Sequence, residues 1–256
     1  MNNFAKRALI QLLLVFTVSA SATGWLANPQ ESDSAQVYHT LGLDYLKAKR
    51  YQEAKEALAK AIQLAPGWAQ AHNDLGMSYY MLGRFADAVE CFKKAVQNSP
   101  NYSIGYYNLG GVYRRMGFYD DSIQAYKKAI HLNPNFAAAY NNLGVTYDAM
   151  SRTKEAAQSY NEALRLDPTM LETYRNLGCA YYNLGQKKQA LELFQNAIKL
   201  NPEWPEVHYN LGITHLVLGH KGSALAEYVA LKNKNLQLAQ KLYSAIYRDR
   251  LVDARR

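Results

Sequence analysis

Four asparagines stand 34 residues apart, Asn108, Asn142, Asn176 and Asn210, each directly before a Leu-Gly pair. Asparagine is a poor helix former, so local propensity does not explain its return. Its amide carries both a donor and an acceptor. Two uses of such a ladder stay open. The amides can grip the main chain of an extended peptide, whatever its side chains, or they can tie neighbouring helices together. The same position earlier in the chain holds Thr40 and Asp74, so the first part of the chain is less suited to the peptide role. Near the asparagines in the pattern lie Tyr107, Arg114, Arg115, Asn141, Arg175, Tyr182 and Tyr209. Aromatic rings beside arginines are the composition of binding hot spots. The arginines suit an acidic peptide, because guanidinium pairs with carboxylate in a bidentate fork. The plainer reading is that they keep a wet face soluble.

No other constellation points to chemistry. The sequence has no HExxH, and "GHKGS" at 219–223 lacks the spacing of a phosphate loop. His208 and His215 are seven residues apart on one expected helix, about 10 Å by helical rise and too far to share a zinc. Core packing suits them better. The only two cysteines, Cys91 and Cys179, fall in different repeats. A disulfide needs Cα atoms within about 7 Å, so no bridge is expected. No catalytic residue, metal or cofactor is expected. The net charge of +8 falls to +6 once Lys6 and Arg7 are set aside. No long basic run accompanies it, which argues against nucleic acid as a partner.

The elements that must position these residues come from a period. Six 34-residue units start at Ala35, Ala69, Ser103, Ala137, Leu171 and Pro205. Counting each start as slot one, Leu-Gly falls at slots seven and eight every time, from Leu41-Gly42 to Leu211-Gly212. An aromatic or His occupies slots four and eleven. A small residue recurs at slot twenty: Ala54, Ala88, Ser122, Ala156, Ala190 and Ala224. Pro66, Pro100, Pro134, Pro168 and Pro202 close the first five units. Slots four, seven, eight and eleven share one face of a helix. The slot-eight glycine admits a second helix closely, with slot twenty expected as its counterpart. Gly83, Gly117, Gly185 and Gly219 fall between the two helices, where a left-handed turn suits glycine. Slots two, five, six, nine, twelve and thirteen are then expected to face away from the hairpin contact, and the candidate site residues fall among them.

The pattern resembles the tetratricopeptide repeat (TPR) family over residues 35–238. That resemblance implies an all-α fold, a right-handed α-solenoid of helical hairpins, with a concave face lined by the first helix of each unit. Unit six lacks the closing proline, and residues 236–248 are expected as a capping helix with Leu236, Ala239, Leu242, Tyr243 and Ile246 on its apolar face. The ladder is similar to that of TPR superhelices of the O-GlcNAc transferase type, in which such asparagines hold peptide main chain. By resemblance, Asn108, Asn142, Asn176 and Asn210 are peptide contacts. The dicarboxylate clamp of chaperone-binding TPR domains needs Lys and Asn at slots five and nine of one unit, a pair absent here.

Residues 1–22 carry Lys6 and Arg7, an apolar run and Ala20-Ser21-Ala22. They read as a signal peptide for export to the periplasm or beyond. The rival is an uncleaved membrane anchor over residues 8–27. Residues 23–34 read as a linker and 249–256 as a basic tail. The function expected is a non-enzymatic scaffold that binds a protein or an extended, acidic peptide along the groove. A self-associating structural module and a regulatory subunit for an enzyme on another chain stay open beside it.

Overall fold

The computed structural model describes residues 29–247. The expected signal or anchor segment and the basic tail lie outside them. No described helix is long and apolar enough to cross a membrane. The described residues form thirteen helices and no strand, in two compact units. The first unit, ending at Ser99, holds α1 (Pro29–Lys47), α2 (Tyr51–Leu64), α3 (Ala69–Met81) and α4 (Phe85–Asn98). The second, from Pro100, holds α5 (Ser103–Met116), α6 (Tyr119–Leu132), α7 (Ala137–Ala149), α8 (Thr153–Leu166), α9 (Leu171–Asn183), α10 (Lys187–Leu200), α11 (Pro205–Val217), α12 (Lys221–Lys232) and α13 (Leu236–Ile246). Helix α1 begins at Pro29, so residues 29–34 are helical rather than linker.

Within each unit the helices pair as hairpins and stack on the next, the arrangement the period implied. The slot-twenty residues are all fully buried, Ala54, Ala88, Ser122, Ala156, Ala190 and Ala224 alike. The glycine at slot eight, however, makes its closest approach to slot twenty-four. A Cβ on Gly76, Gly110, Gly144 or Gly178 would come within 3.0 Å of the ring of Phe92, Tyr126, Tyr160 or Phe194. The missing side chain makes room for a ring, so the expected pairing of slots eight and twenty shifts by one helical turn.

Each hairpin turns on a residue at slot fifteen in the left-handed region. Gly83, Gly117, Gly185 and Gly219 have φ of 75–81° there, and Lys49 and Ser151 hold it at 58° and 59°. The slot-sixteen N–H then bonds back to the slot-eleven carbonyl, as from Arg152 to Tyr147 at 2.9 Å, which ends the first helix. In three units slot sixteen is an arginine lying over the slot-eleven ring: Arg50 on Tyr45, Arg84 on Tyr79 and Arg152 on Tyr147, at 4.6–4.8 Å. Each also pairs with an acid three residues on, Glu53, Asp87 or Glu155.

Helix α13 differs from the others in its start. Asn235 caps it by accepting from the Leu238 N–H at 3.1 Å. The helix packs on both α11 and α12. Ala239, Leu242 and Ile246 are buried, and Leu242 lies against Gly212 in the place that slot twenty-four holds elsewhere. Leu236 and Tyr243, expected on the buried face, are instead 62% and 44% exposed.

Candidate functional site

The candidate residues lie on α5, α7, α9 and α11, the first helices of successive hairpins in the second unit. Their rotation is set by the slot-seven leucines. Leu109, Leu143, Leu177 and Leu211 are each at most 7% exposed, so each helix is pinned by that side and turns slots five, six, nine and twelve the other way.

The ladder is not uniform. Asn142 Nδ2 donates to the Tyr107 hydroxyl one repeat back at 2.9 Å, and its Oδ1 accepts from Asn141 Nδ2 at 3.3 Å. Asn141 Oδ1 accepts in turn from the Thr173 hydroxyl at 2.9 Å. One chain of polar contacts thus runs from α5 through α7 to α9. Tyr107 is held further by Phe136 and Tyr126, with ring centroids 4.8 and 5.8 Å away. The first unit repeats the device with other residues. Asp74 Oδ2 meets His39 Nε2 at 2.8 Å, and its Oδ1 accepts from Asn73 Nδ2 at 3.2 Å. At Asp74 and Asn142, then, slot six ties a helix to slot five of the preceding repeat. Asn108 is half-buried and also engaged.

Asn176 and Asn210 stand differently. Asn176 is half-buried, and its amide makes no hydrogen bond among the described residues. Asn210 Nδ2 reaches only Cys179 Sγ, at 3.5 Å, and sulfur is a weak acceptor. Between α9 and α11 lies a pocket of about 250 Å³, lined by Cys179, Tyr182, Asn183, Phe194, Tyr209, Asn210, Ile213 and Thr214. It brings together Tyr182, Tyr209 and Asn210, three residues that the repeat spacing marked as candidates, with Cys179 at slot nine of the fifth repeat.

The basic candidates are divided. Arg175 donates to Glu172 at 2.9 Å and lies 5.7 Å from the Trp204 ring. Arg114 is half-buried with its Nε enclosed and unpartnered among the described residues. Arg115 is exposed and engaged. The Tyr182 ring carries the Lys187 ammonium 3.4 Å from its centroid, and Lys187 also donates to the Tyr182 carbonyl. Burial pushes the Cys179 thiol up, with Arg175 opposing, and burial takes Cys91 to about 11. Both are free thiols that stay protonated.

The two histidines considered as ligands are buried structural groups. His208 lies between Glu227 Oε2 at 2.6 Å and the Pro202 carbonyl at 2.8 Å. His215 is 8% exposed. No group of three or more His, Cys, Asp or Glu side chains placed to hold a metal occurs among the described residues. Ile213 and Leu216 of α11 pack with the α13 cluster, while Met81 and Val217 are 46% and 53% exposed.

Tetratricopeptide repeat models match residues 33–101 and 137–170, and TPR repeat models match 110–151 and 180–219. No curated protein matches the chain. Among solved structures it is similar to PilF of Pseudomonas aeruginosa, with 20% identity over 84% of this chain and 99% of that one and a TM-score of 0.75. It is similar to MamA, with 26% identity over 67% and 93% and a TM-score of 0.59. It is also similar to YrrB, a TPR protein with an unusual peptide-binding site, with 20% identity over 74% and 99% and a TM-score of 0.65. These are likenesses of fold.

Proposed function

The chain belongs to the tetratricopeptide repeat family of protein-interaction scaffolds, and from that premise we propose that it is a non-enzymatic scaffold gripping an extended segment of a partner protein along α9 and α11. The observation that carries this is the uncommitted amide of Asn176, beside an Asn210 whose side-chain amide, among the described residues, bonds only to sulfur. Structural ties consume Asn142 and Asp74. At Asn176 the same slot is left open, half-buried and next to a pocket. A half-buried amide with both ends free can pair with a main-chain N–H and C=O without first breaking a bond of its own.

YrrB, similar in fold, has a peptide-binding site, which accords with this use of the surface. Acidic residues in the segment suit Arg114, whereas Arg175 already has Glu172 and Arg115 is engaged. The basic and apolar character of residues 1–22 supports export, and an envelope assembly is the setting we favour.

The test is photo-crosslinking in the full chain. A benzophenone side chain at position 217, an exposed site at slot thirteen of α11, should join a discrete partner, and one at position 229, an exposed site on α12, should not. Equal labelling from both positions, or none from position 217, contradicts the proposal.

Self-association is the second reading, favoured by one observation. Leu41 is 39% exposed where the slot-seven leucines of the other units are at most 8%, and Val37 beside it is 65% exposed. A mass that rises with concentration, and no longer rises in a Val37→Ser/Leu41→Ser variant, would establish it.

A further inference from the structure

We infer that the pocket between α9 and α11 receives an aromatic side chain of the bound segment, and that this ring, more than the segment's charge, selects the partner. The inference rests on the groove reading above and names what the partner must carry.

The pocket has the size for a ring. A cavity of about 150 Å³ lined by apolar side chains holds benzene, so one of about 250 Å³ has room for a phenyl or phenol ring with its Cβ. Its lining has the matching chemistry. Phe194, 1% exposed, belongs to the buried core beneath. Tyr182 and Tyr209 add two more rings, and Ile213 an aliphatic surface. No charged side chain lines the pocket, and the Lys187 ammonium over the Tyr182 ring already donates to the Tyr182 carbonyl, so a carboxylate or ammonium entering would lose water without a charged partner in the lining. Rings prefer offset or edge-on contact with other rings, which three aromatic lining residues supply.

The lining at this repeat differs from the same slots of the one before it. In the preceding repeat the slot-twenty-four residue is Tyr160, whose hydroxyl donates to Asp148 Oδ2 at slot twelve, 2.8 Å away. That bond spans the hairpin. In the next repeat the same two slots hold Phe194 and Tyr182. Phe194 has no hydroxyl to make the bond, and both rings line the pocket instead. The rim completes the site. Asn183 is exposed with no side-chain hydrogen bond among the described residues, and Asn210 adds a second amide. Those amides can hold the main chain on either side of an inserted ring.

The test uses the full chain with ¹³C-labelled isoleucine δ1 methyls and three blocked peptides, acetyl-Gly-Xaa-Gly-amide with Xaa as Phe, Ala or Asp. The Phe peptide should shift the Ile213 methyl saturably and bind at least tenfold more tightly than the Ala and Asp peptides. Asn183→Phe, at an exposed position where folding is not at stake, places a ring of its own at the mouth. It should weaken the Phe peptide at least tenfold. Equal binding of the Phe and Ala peptides overturns the inference, as does tightest binding of the Asp peptide. So does p-cresol binding as tightly as the Phe peptide, which would make this a small-molecule site. The groove reading fails separately. If Asn176→Ala abolishes capture of the partner while the Phe peptide leaves Ile213 unmoved, the groove stands and the ring anchor falls. If the Phe peptide behaves as expected and Asn176→Ala changes nothing, the ring pocket stands and the amide grip falls.

Discussion

At the scale of single residues, four asparagines with one spacing have different jobs, and stability separates them. Asn142→Ala removes a bond to Tyr107 and leaves the Asn141 amide without its acceptor. It should cost about 1 kcal/mol, the net worth of such a bond. In a double-mutant cycle with Tyr107→Phe the losses should fall short of additive, since both variants break one contact. Asn176→Ala breaks none, and should leave the urea midpoint within about 0.5 kcal/mol of the wild type. A second residue-scale prediction concerns acid. Burial lowers the pKa of His72, opposed by its bond to the Pro66 carbonyl and reinforced by Lys94. A histidine held below its unfolded value, near 6.5, binds its proton more readily when unfolded. Its contribution is therefore complete above that value and is lost as pH falls through it toward the folded pKa. His215 has the same sign, again from burial. Urea midpoints should drop between pH 7.5 and 5.5, and drop less in His72→Gln. The sequence revealed that slot six mattered. It could not reveal which asparagines were spent, because that depends on what slot five of the preceding repeat offers: a tyrosine hydroxyl at 107, a histidine at 39, and at 141 an amide already engaged by Thr173.

At the scale of elements, the hairpin turn makes a clean test. Ser151 holds a left-handed φ of 59° that glycine holds in four other repeats. A non-glycine residue there costs roughly 1–2 kcal/mol, part of which glycine returns through its larger unfolded-state entropy. Ser151→Gly should therefore raise stability by a few tenths to about 1 kcal/mol, read from thermal unfolding. The cap makes another test. Leu242 is fully buried and fills the place beside Gly212. Leu242→Ala should cost about 2–5 kcal/mol. Because repeats are stabilised mainly by their neighbours, amide exchange should rise first in α11, α12 and α13, before α5 to α8. Helices, turns and their order were legible because the 34-residue period repeats six times. The partner of the slot-eight glycine was read one turn off. Slots twenty and twenty-four lie on the same face of the second helix, so spacing alone could not say which one meets the glycine. The left-handed Lys49 and Ser151 escaped because neither residue type signals that conformation. Leu236 and Tyr243 were assigned to the buried face of α13 by periodicity, which marks a stripe wider than the surface α11 and α12 cover.

At the scale of the whole molecule, hydrogen bonds tie the first repeat to the second, and the third through the fifth to one another. Among the described residues the Asn176 amide takes no part, which makes α9 and α11 the open stretch of the proposal. On the proposed reading that stretch recognises a partner through the uncommitted Asn176 amide and the aromatic walls, beside a Cys179 thiol that burial keeps protonated. The pocket is not legible from the Phe194–Tyr182 pair alone, because the second repeat holds the same residue types at those slots, Phe92 and Tyr80; it also takes Tyr209, Asn210, Ile213 and Thr214 of α11. The most direct test of the open stretch is capture from envelope extracts by the full chain, with wild type, Asn142→Ala and Asn176→Ala compared side by side after circular dichroism has confirmed equal helix content. Asn176→Ala, though as stable as wild type, should lose the captured partner at least tenfold, while Asn142→Ala should lose stability and keep more of the partner. Undiminished capture by Asn176→Ala would contradict the amide grip and would return the open asparagine to the architecture of the repeat.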